Sequence, residues 1–342
     1  MLQRSARGRL LEIFLFTLSS LVLYHIGIGV VVFLIPLQVV GSRRGESSLL
    51  AACGLFLLVF LGLRLLPFLG GQPRLDILTV VETIFVLSLL LGLLAVNLPP
   101  RGRLRTLYRL LGVTAVAGLA AVPLAVWLSR NLEFQAAMET LFSEVSRMLT
   151  SLFAGNAGQP ADPALAALLS QSALQKMSEA YLSRSLLAFY FGLLSFSWWA
   201  GQTSASRSTW AGQGRFRFAE FRLEAFWLWP LIAAWALILV DLFLGAHSAG
   251  KWRAVGWQYA AWNIGLVLLI IYGLQGLAIL RFLFEKHGLP RLLWLLLVIA
   301  LVALTASPKA GLFVMVALPV FGVSENWIRY RILAGSEPNE SP

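Results

Sequence analysis

The chain has 342 residues, of which 58% are hydrophobic and only 13% are charged. A soluble globular domain carries nearer ~25% charged residues, so this composition excludes a single soluble core and favours an integral membrane protein. The net charge of +11 does not indicate nucleic-acid binding, because the basic residues cluster between apolar runs, as the positive-inside rule requires, and none belongs to a recognisable nucleic-acid-binding fold.

The N-terminal region has basic residues at both ends of one long apolar stretch. Three arginines fall within the first nine residues, the stretch from Leu10 to Val40 is mostly apolar, and Arg43 and Arg44 follow. Both basic groups favour the cytoplasm. We therefore expect two short crossings with a break between residues 24 and 29, the alternative being one long tilted helix with its N-terminus outside.

Further apolar runs predict the remaining spans. They lie at 48–69, 76–98, 107–128, 182–199, 226–244, 256–284, 289–306 and 310–323. Together with the N-terminal region they predict an all-α polytopic transmembrane helix bundle of about eight to ten spans. Arginines in the loops at 101–109 and 200–224 favour a cytoplasmic location for those loops. We therefore expect a multi-pass protein of the inner (cytoplasmic) membrane, with both termini on the cytoplasmic side. The polar tail at 332–342 is predicted to be disordered.

Residues 131–181 differ from the rest because acidic residues outnumber basic ones there, which favours the outer side. Apolar residues recur at helical spacing from Phe134 to Leu152, and Pro163 can open a second helix. We expect an extracytoplasmic amphipathic helical hairpin between an N-terminal transmembrane half (1–130) and a C-terminal one (182–331). It either lies on the bundle or forms a lid over an outward-facing pocket.

Several polar residues inside the spans are candidates for function. Glu82 is the carboxylate set deepest in an apolar run, and an intramembrane acid is costly enough to be a functional candidate; the alternative is that it lies near the outer edge and reaches water or Arg74. Asn263 and Gln275 are uncharged, so hydrogen bonding between helices is the alternative for them. Asp241 lies near the end of its span, where we expect a solvated helix end.

No catalytic or metal constellation is found in the sequence. Cys53 is the only cysteine, the three histidines are far apart, and the G-x-x-x-x-G-K match at 245–251 has Trp252 where a phosphate loop needs Ser or Thr. We expect no cofactor, no metal and no enzymatic activity.

The C-terminal half carries a family resemblance. Its residues are Phe221-Arg222-Leu223 before a Trp-rich span, Tyr272-Gly-Leu-Gln-Gly276 inside the next, and the closing segment from Phe321 to Arg331. The first half contributes Pro36-Leu37 and Arg44-Gly45. In these elements the chain resembles the YybS-like family of bacterial multi-span membrane proteins.

The resemblance implies a fold similar to the substrate-binding membrane subunits of energy-coupling-factor transporters, and hence a bundle that binds a small molecule. Those subunits often dock their partner through Ala-x-x-x-Ala in the first helix, but residues 10–40 contain no alanine here. The partner mechanism therefore does not carry over.

Two functions follow as hypotheses. The first is a transport-type bundle that binds a small solute in an outward-facing pocket with Glu82, Asn263 and Gln275 as its polar lining. The second is a membrane scaffold that binds a protein partner through its basic loops. The contact residues of that scaffold would be Arg101, Arg103, Arg105, Arg215, Arg217 and Arg222.

Overall fold

The computed structural model describes residues 2–69, 76–97, 106–154, 163–205, 218–247, 255–305, 307–328 and 330–331. Within these ranges the regular elements are all helical, without a strand, which confirms the predicted all-α class. By internal contacts the chain falls into two compact units, Met1–Gly212 and Gln213–Pro342. The predicted tail at 332–342 lies outside the described residues.

The first unit contains eight α-helices within the described ranges. They are α1 (Leu2–His25), α2 (Leu34–Arg44), α3 (Glu46–Leu69), α4 (Ile77–Asn97), α5 (Thr106–Arg130), α6 (Leu132–Ala154), α7 (Pro163–Leu168) and α8 (Gln171–Ala205). The described part of the second unit contains α9 (Leu228–His247), α10 (Val255–Lys286), α11 (Arg291–Thr305) and α12 (Pro308–Ser324). Short 3-10 turns occupy Ile28–Val31, Phe218–Glu220 and Ala225–Trp227.

The protein is a multi-pass membrane protein by the length and composition of its helices. Six stretches in the described part of the chain are long and apolar enough to cross a bilayer. They are Arg7–His25, Glu46–Leu66, Ile77–Asn97, Thr106–Arg130, Ala225–Phe243 and Trp257–Lys286. Two shorter apolar helices, Leu292–Thr305 and Lys309–Ser324, follow them.

The N-terminal stretch breaks where the sequence predicts it. α1 ends at His25, Gly27 takes a positive φ of 78°, and a 3-10 turn leads into α2. Arg44, at the end of α2, forms an ion pair of 2.6 Å with Glu12 in the middle of α1, so the chain has folded back on itself. The alternative of one long tilted helix is therefore wrong. With 11 residues, α2 is about 16 Å long, roughly half the hydrocarbon core.

The hairpin segment is joined closely to the bundle. Only Asn131 separates α5 from α6, and its side chain caps α6 by accepting a hydrogen bond of 3.0 Å from the Phe134 amide. α7 begins at Pro163, as predicted. The second arm of the hairpin and the predicted span at 182–199 are parts of one continuous helix, α8, whose 35 residues make it about 52 Å long.

In the second unit, α10 and α12 cross so closely that only glycine fits at the contact. A Cβ atom at Gly276 would overlap the carbonyl oxygen of Leu318, and one at Gly322 would overlap the carbonyl oxygen of Tyr272. Small residues of this kind are what allows two membrane helices to approach each other.

Candidate functional site

Glu82 of α4 lies at the meeting point of three helices. Arg64 of α3 donates a short hydrogen bond from Nη2 to Glu82 Oε2 and forms an ion pair with it. The Tyr24 hydroxyl of α1 donates a second short hydrogen bond to Glu82 Oε1. We call Tyr24, Arg64 and Glu82 the Glu82 cluster.

An aromatic layer closes one side of the Glu82 cluster. The Tyr24 ring stands edge-on to Phe33 and Phe60, with ring centroids 5.3 and 5.4 Å apart, and the Arg64 guanidinium lies 5.4 Å from the centre of the Phe60 ring. Phe33 and Phe60 are fully buried. The guanidinium is thus held both by the carboxylate and by a cation–π contact, which fixes its direction.

The charged side of the cluster is open. The Arg64 and Glu82 side chains are 31% and 40% exposed, whereas Tyr24 as a whole is 5% exposed. Pairing the two charges lowers the cost of placing them within membrane helices. The arrangement can therefore present a carboxylate and a guanidinium at the surface while its third member reaches into the core.

The sequence identified Glu82 but not its partners. The expected alternative, contact with Arg74, falls on a residue outside the described ranges. The signal for Arg64 was its position as a cation inside an apolar run, and the signal for Tyr24 was its place at the predicted helix break. Neither signal names a pairing, because the pairing depends on which helices become neighbours.

A reciprocal amide pair holds α2 against α4. Gln38 Nε2 donates to Asn97 Oδ1 at 3.0 Å, and Asn97 Nδ2 donates to Gln38 Oε1 at 2.7 Å. Gln38 is fully buried, and Gly201 of α8 lies so close that a Cβ there would meet the Gln38 side chain. The pair satisfies both amides inside the bundle and fixes the short helix in place.

Asn263 and Gln275 are both buried on α10, but they do not form one site. They are twelve residues apart, which is about 18 Å along the helix. Asn263 Nδ2 donates to the Tyr259 carbonyl one turn earlier at 2.8 Å. Gln275 bonds to different partners, near the other end of the helix.

Gln275 belongs to a buried network with Glu325 and Arg331. Gln275 Nε2 donates to Glu325 Oε2 at 2.7 Å, and its Oε1 accepts from the Leu223 amide at 3.3 Å. Arg331 Nε lies 2.9 Å from Glu325 Oε1. Arg331 also donates from Nη1 and Nη2 to the carbonyls of Ala219 and Phe221, both at 2.9 Å. We call Gln275, Glu325 and Arg331 the C-terminal latch.

The C-terminal latch joins the segment at 221–223, the C-terminal half of α10, and the residues Glu325 and Arg331 that follow α12. Burial lowers the pKa of Arg331 from its ordinary value; the Glu325 carboxylate opposes that shift, and the nearby positive charge of Arg222 adds to it. The polar groups of the latch bind one another, so it anchors the end of the chain and is not an open ligand site.

The expectation for Asp241 was wrong. It is 8% exposed and accepts a short hydrogen bond from Gln258 of α10, so it joins two helices instead of forming a solvated helix end. A carboxylate near a helix end can satisfy itself inside the bundle when a neighbouring helix supplies a donor.

The three predicted pocket residues are divided between the units. Glu82 lies in the first unit, and Asn263 and Gln275 lie in the second; that one pocket is lined by all three stays a prediction. Of the scaffold candidates, Arg101, Arg103, Arg105, Arg215 and Arg217 lie outside the described residues. Arg222 is described and exposed.

The described residues were also searched for a metal site and for surface depressions. Across the described ranges, no group of three His, Cys, Asp or Glu side chains is placed to hold a metal ion. An open depression lies on the hairpin, and none of its lining residues was predicted as a site residue. The lining residues are Ser143, Ser146, Arg147, Thr150, Ser151 and Gln171.

Comparison of the chain with models of protein families, with curated proteins and with solved structures finds no match in any of the three.

Proposed function

We propose that this protein is a transport-type membrane bundle that binds a small polar solute at the Glu82 cluster. The observation that carries the proposal is the ion pair of Arg64 and Glu82, set within membrane helices and hydrogen-bonded to Tyr24 directly before the break between α1 and α2. The role is non-enzymatic.

Charged side chains are costly within membrane helices, by about 2.5–3.5 kcal/mol at the helix centre and less toward the ends, where Arg64 and Glu82 lie. Such residues commonly mark solute or ion pathways. A pair that served only to join helices would be expected to be enclosed. The exposed fractions of Arg64 and Glu82 support a pair that a solute can reach.

The turn between α1 and α2 supports the same role. Irregular backbone at membrane depth is tolerated only where it lies within protein or lines a cavity. Tyr24 links the end of α1 directly to Glu82. A solute that competed for the carboxylate or the guanidinium would therefore act on the folded-back segment as well.

The orientation and setting are part of the proposal. Arg43 and Arg44 pair with Glu12, and Arg9 donates to Ser48 at 2.8 Å, so positive groups gather at one end of this helix pair. We place that end, and both termini, on the cytoplasmic side of a bacterial inner membrane. Membership of the YybS-like family is proposed from the motifs at 221–223, 272–276 and 321–331.

Native mass spectrometry of the purified protein, combined with a thermal-shift screen of small polar solutes, tests the proposal. We expect a retained or stabilising small molecule in the wild type, its loss in Glu82→Gln, and its retention in Glu285→Gln. Glu285 is a suitable control because its side chain is 52% exposed and its ion pair with Arg281 joins residues of one helix, α10. A wild type that responds to no solute, or equal binding by Glu82→Gln, would contradict the proposal.

A further inference from the structure

Helix α6 carries an apolar stripe that nothing in the described part of the chain covers. Leu141, Val145, Met148 and Leu152 are spaced four, three and four residues apart, so they share one face of the helix. All four are exposed, Met148 and Leu152 by 64% and 61%. A contiguous exposed apolar surface of this kind marks an interaction site more often than chance.

The other two sides of α6 are accounted for. Phe142, 8% exposed, lies on the side that packs against the bundle. Glu144, Arg147 and Ser151 lie on a polar, solvent-exposed side. The helix is therefore three-sided, and the apolar stripe (Leu141, Val145, Met148 and Leu152) runs between the packed face and the polar face.

Two hydrogen bonds join α6 to the N-terminal end of α8. Gln171 Nε2 donates to the Glu139 carbonyl at 3.1 Å, and Ser146 Oγ donates to the Leu169 carbonyl at 2.6 Å. The two contacts are seven residues, or about 10 Å, apart on α6. On the other side, Leu169 lies in the turn before α8 and Gln171 is the first residue of α8, so α6 packs on the N-terminal end of α8.

The contacts of two glycines give the relative direction of α5 and α8. A Cβ at Gly92 of α4 would meet both Leu194 of α8 and Val113 of α5, and one at Gly118 of α5 would meet Leu187 of α8. α5 and α8 are therefore antiparallel. The C-terminal end of α5 lies at the same end of the unit as the N-terminal end of α8.

Two exposed aromatic residues mark the level at which these helices leave the apolar layer. Trp127 lies about 13 Å beyond Gly118 on α5, and Tyr181 lies about 9 Å beyond Leu187 on α8, so the two are within about one turn of the same level. Both are exposed, Tyr181 by 75%. Exposed Trp and Tyr at one level are typical of the membrane–water boundary, and α6 begins five residues after Trp127.

We propose that α6 is an interfacial helix whose apolar stripe inserts into the boundary between lipid headgroups and acyl chains. Lipid is the occupant because α6 follows directly on α5, whose last turns expose the apolar residues Val122, Val126 and Trp127. An amphipathic helix with one apolar side and one charged side lies in the interface in this way. The inference is independent of the proposed solute site.

The charges of α6 specify the kind of lipid contact. Its acidic residues Glu133, Glu139 and Glu144 outnumber its single basic residue, Arg147. Attraction to anionic headgroups therefore contributes nothing, and apolar burial is the driving force. Insertion should occur in zwitterionic phosphatidylcholine vesicles and should be insensitive to salt.

Site-specific fluorescence tests the inference on the full chain. In a Cys53→Ala background, single cysteines at Leu141, Val145, Met148 and Leu152 are labelled with an environment-sensitive dye after reconstitution into phosphatidylcholine vesicles. Matched controls are cysteines at Glu144 and Ser151 on the polar side of the same helix. We expect several-fold stronger quenching by doxyl-labelled lipid at the stripe, and several-fold stronger quenching by aqueous iodide at the controls.

Two results would overturn the inference. Quenching of the stripe by iodide and not by lipid would place it in water. Protection of the stripe from both quenchers, together with disulfide-linked dimers at Met148→Cys, would show that a second copy covers it. Four independent stripe positions keep the test decisive if one variant fails to fold, which circular dichroism and size-exclusion chromatography would show.

Discussion

Arg64 of α3 and Glu82 of α4 form an ion pair in which the carboxylate also accepts a hydrogen bond from Tyr24 of α1. The two charges come from consecutive helices joined by a segment outside the described residues, whereas Tyr24 precedes Glu82 by 58 positions. Arg64 and Glu82 therefore lie on helices that follow one another in the chain, whereas the contact of Tyr24 with Glu82 depends on the tertiary fold.

The first prediction concerns the stability of this pair. Glu82→Gln leaves Arg64 without its anion and should lower the free energy of unfolding by about 1–2 kcal/mol, at the low end for a membrane ion pair because both side chains are partly exposed. Adding Arg64→Gln should recover part of the loss. A double-mutant cycle of unfolding in mild detergent measures the coupling. Strict additivity of the two single changes would contradict the pairing.

The second prediction separates two glycines on α10. Gly276→Ala should destabilise the protein by about 1–3 kcal/mol, because its new methyl group meets the backbone carbonyl of Leu318, which cannot move aside as a side chain can. Gly273→Ala is the matched control. Its Cβ would lie 3.7 Å from Pro319, an ordinary contact, so it should be neutral or stabilise by about 0.5–1 kcal/mol. Thermal unfolding of both variants makes the comparison, and an equal loss in both would contradict the close crossing of α10 and α12.

The third prediction uses the same logic on α8. Gly201→Ala places a methyl group against the buried Gln38 side chain and should displace α2, breaking the hydrogen bonds between Gln38 and Asn97. We expect a loss of about 1–3 kcal/mol. Gly192→Ala, on the same helix, has open space around its new methyl group and should not destabilise. A stable Gly201→Ala protein in which α2 keeps its native protection from hydrogen exchange would argue against this packing.

The sequence predicted what depends on local pattern. The all-α class and six of the predicted apolar spans follow from hydropathy and length, whereas the predicted spans at 182–199, 289–306 and 310–323 are not among the described stretches long and apolar enough to cross a bilayer. The break between residues 24 and 29 follows from basic residues at both ends of one apolar stretch, and the start of α7 follows from Pro163. These properties are readable within one segment because each is set by neighbouring residues.

The sequence could not predict the contacts that depend on which helices become neighbours. The Tyr24–Glu82 and Gln38–Asn97 contacts require the fold, and Asp241 was expected to be solvated because its donor, Gln258, lies on another helix. The segments at 221–223, 272–276 and 321–331 were visible in the sequence, but the contacts among Gln275, Glu325 and Arg331 in the C-terminal latch were not. Arg331 and Ala219 are 112 positions apart, and no periodicity relates them.

The last prediction concerns Arg331, whose guanidinium makes bonds that lysine cannot reproduce. It binds Glu325 and the carbonyls of Ala219 and Phe221 at the same time, and only a planar fork of donors can do so. Arg331→Lys should therefore destabilise the second unit almost as much as Arg331→Ala. We expect about 3–5 kcal/mol for the alanine variant, since Glu325, 4% exposed, is left as a buried charge without its cation.

A compensating change distinguishes loss of the charge pair from loss of the anchor. In Arg331→Ala combined with Glu325→Gln, the buried residue is uncharged and can still bond to Gln275, so part of the stability should return. The carbonyls of Ala219 and Phe221 remain without their donor, so the segment at 218–223 should stay loosened in both variants. Hydrogen exchange at the Leu223 amide, which bonds to Gln275 Oε1, reports that segment directly. Recovery of stability without recovery of the segment's protection is the expected result. If Arg331→Lys kept wild-type stability and protection, the latch would not depend on the guanidinium geometry.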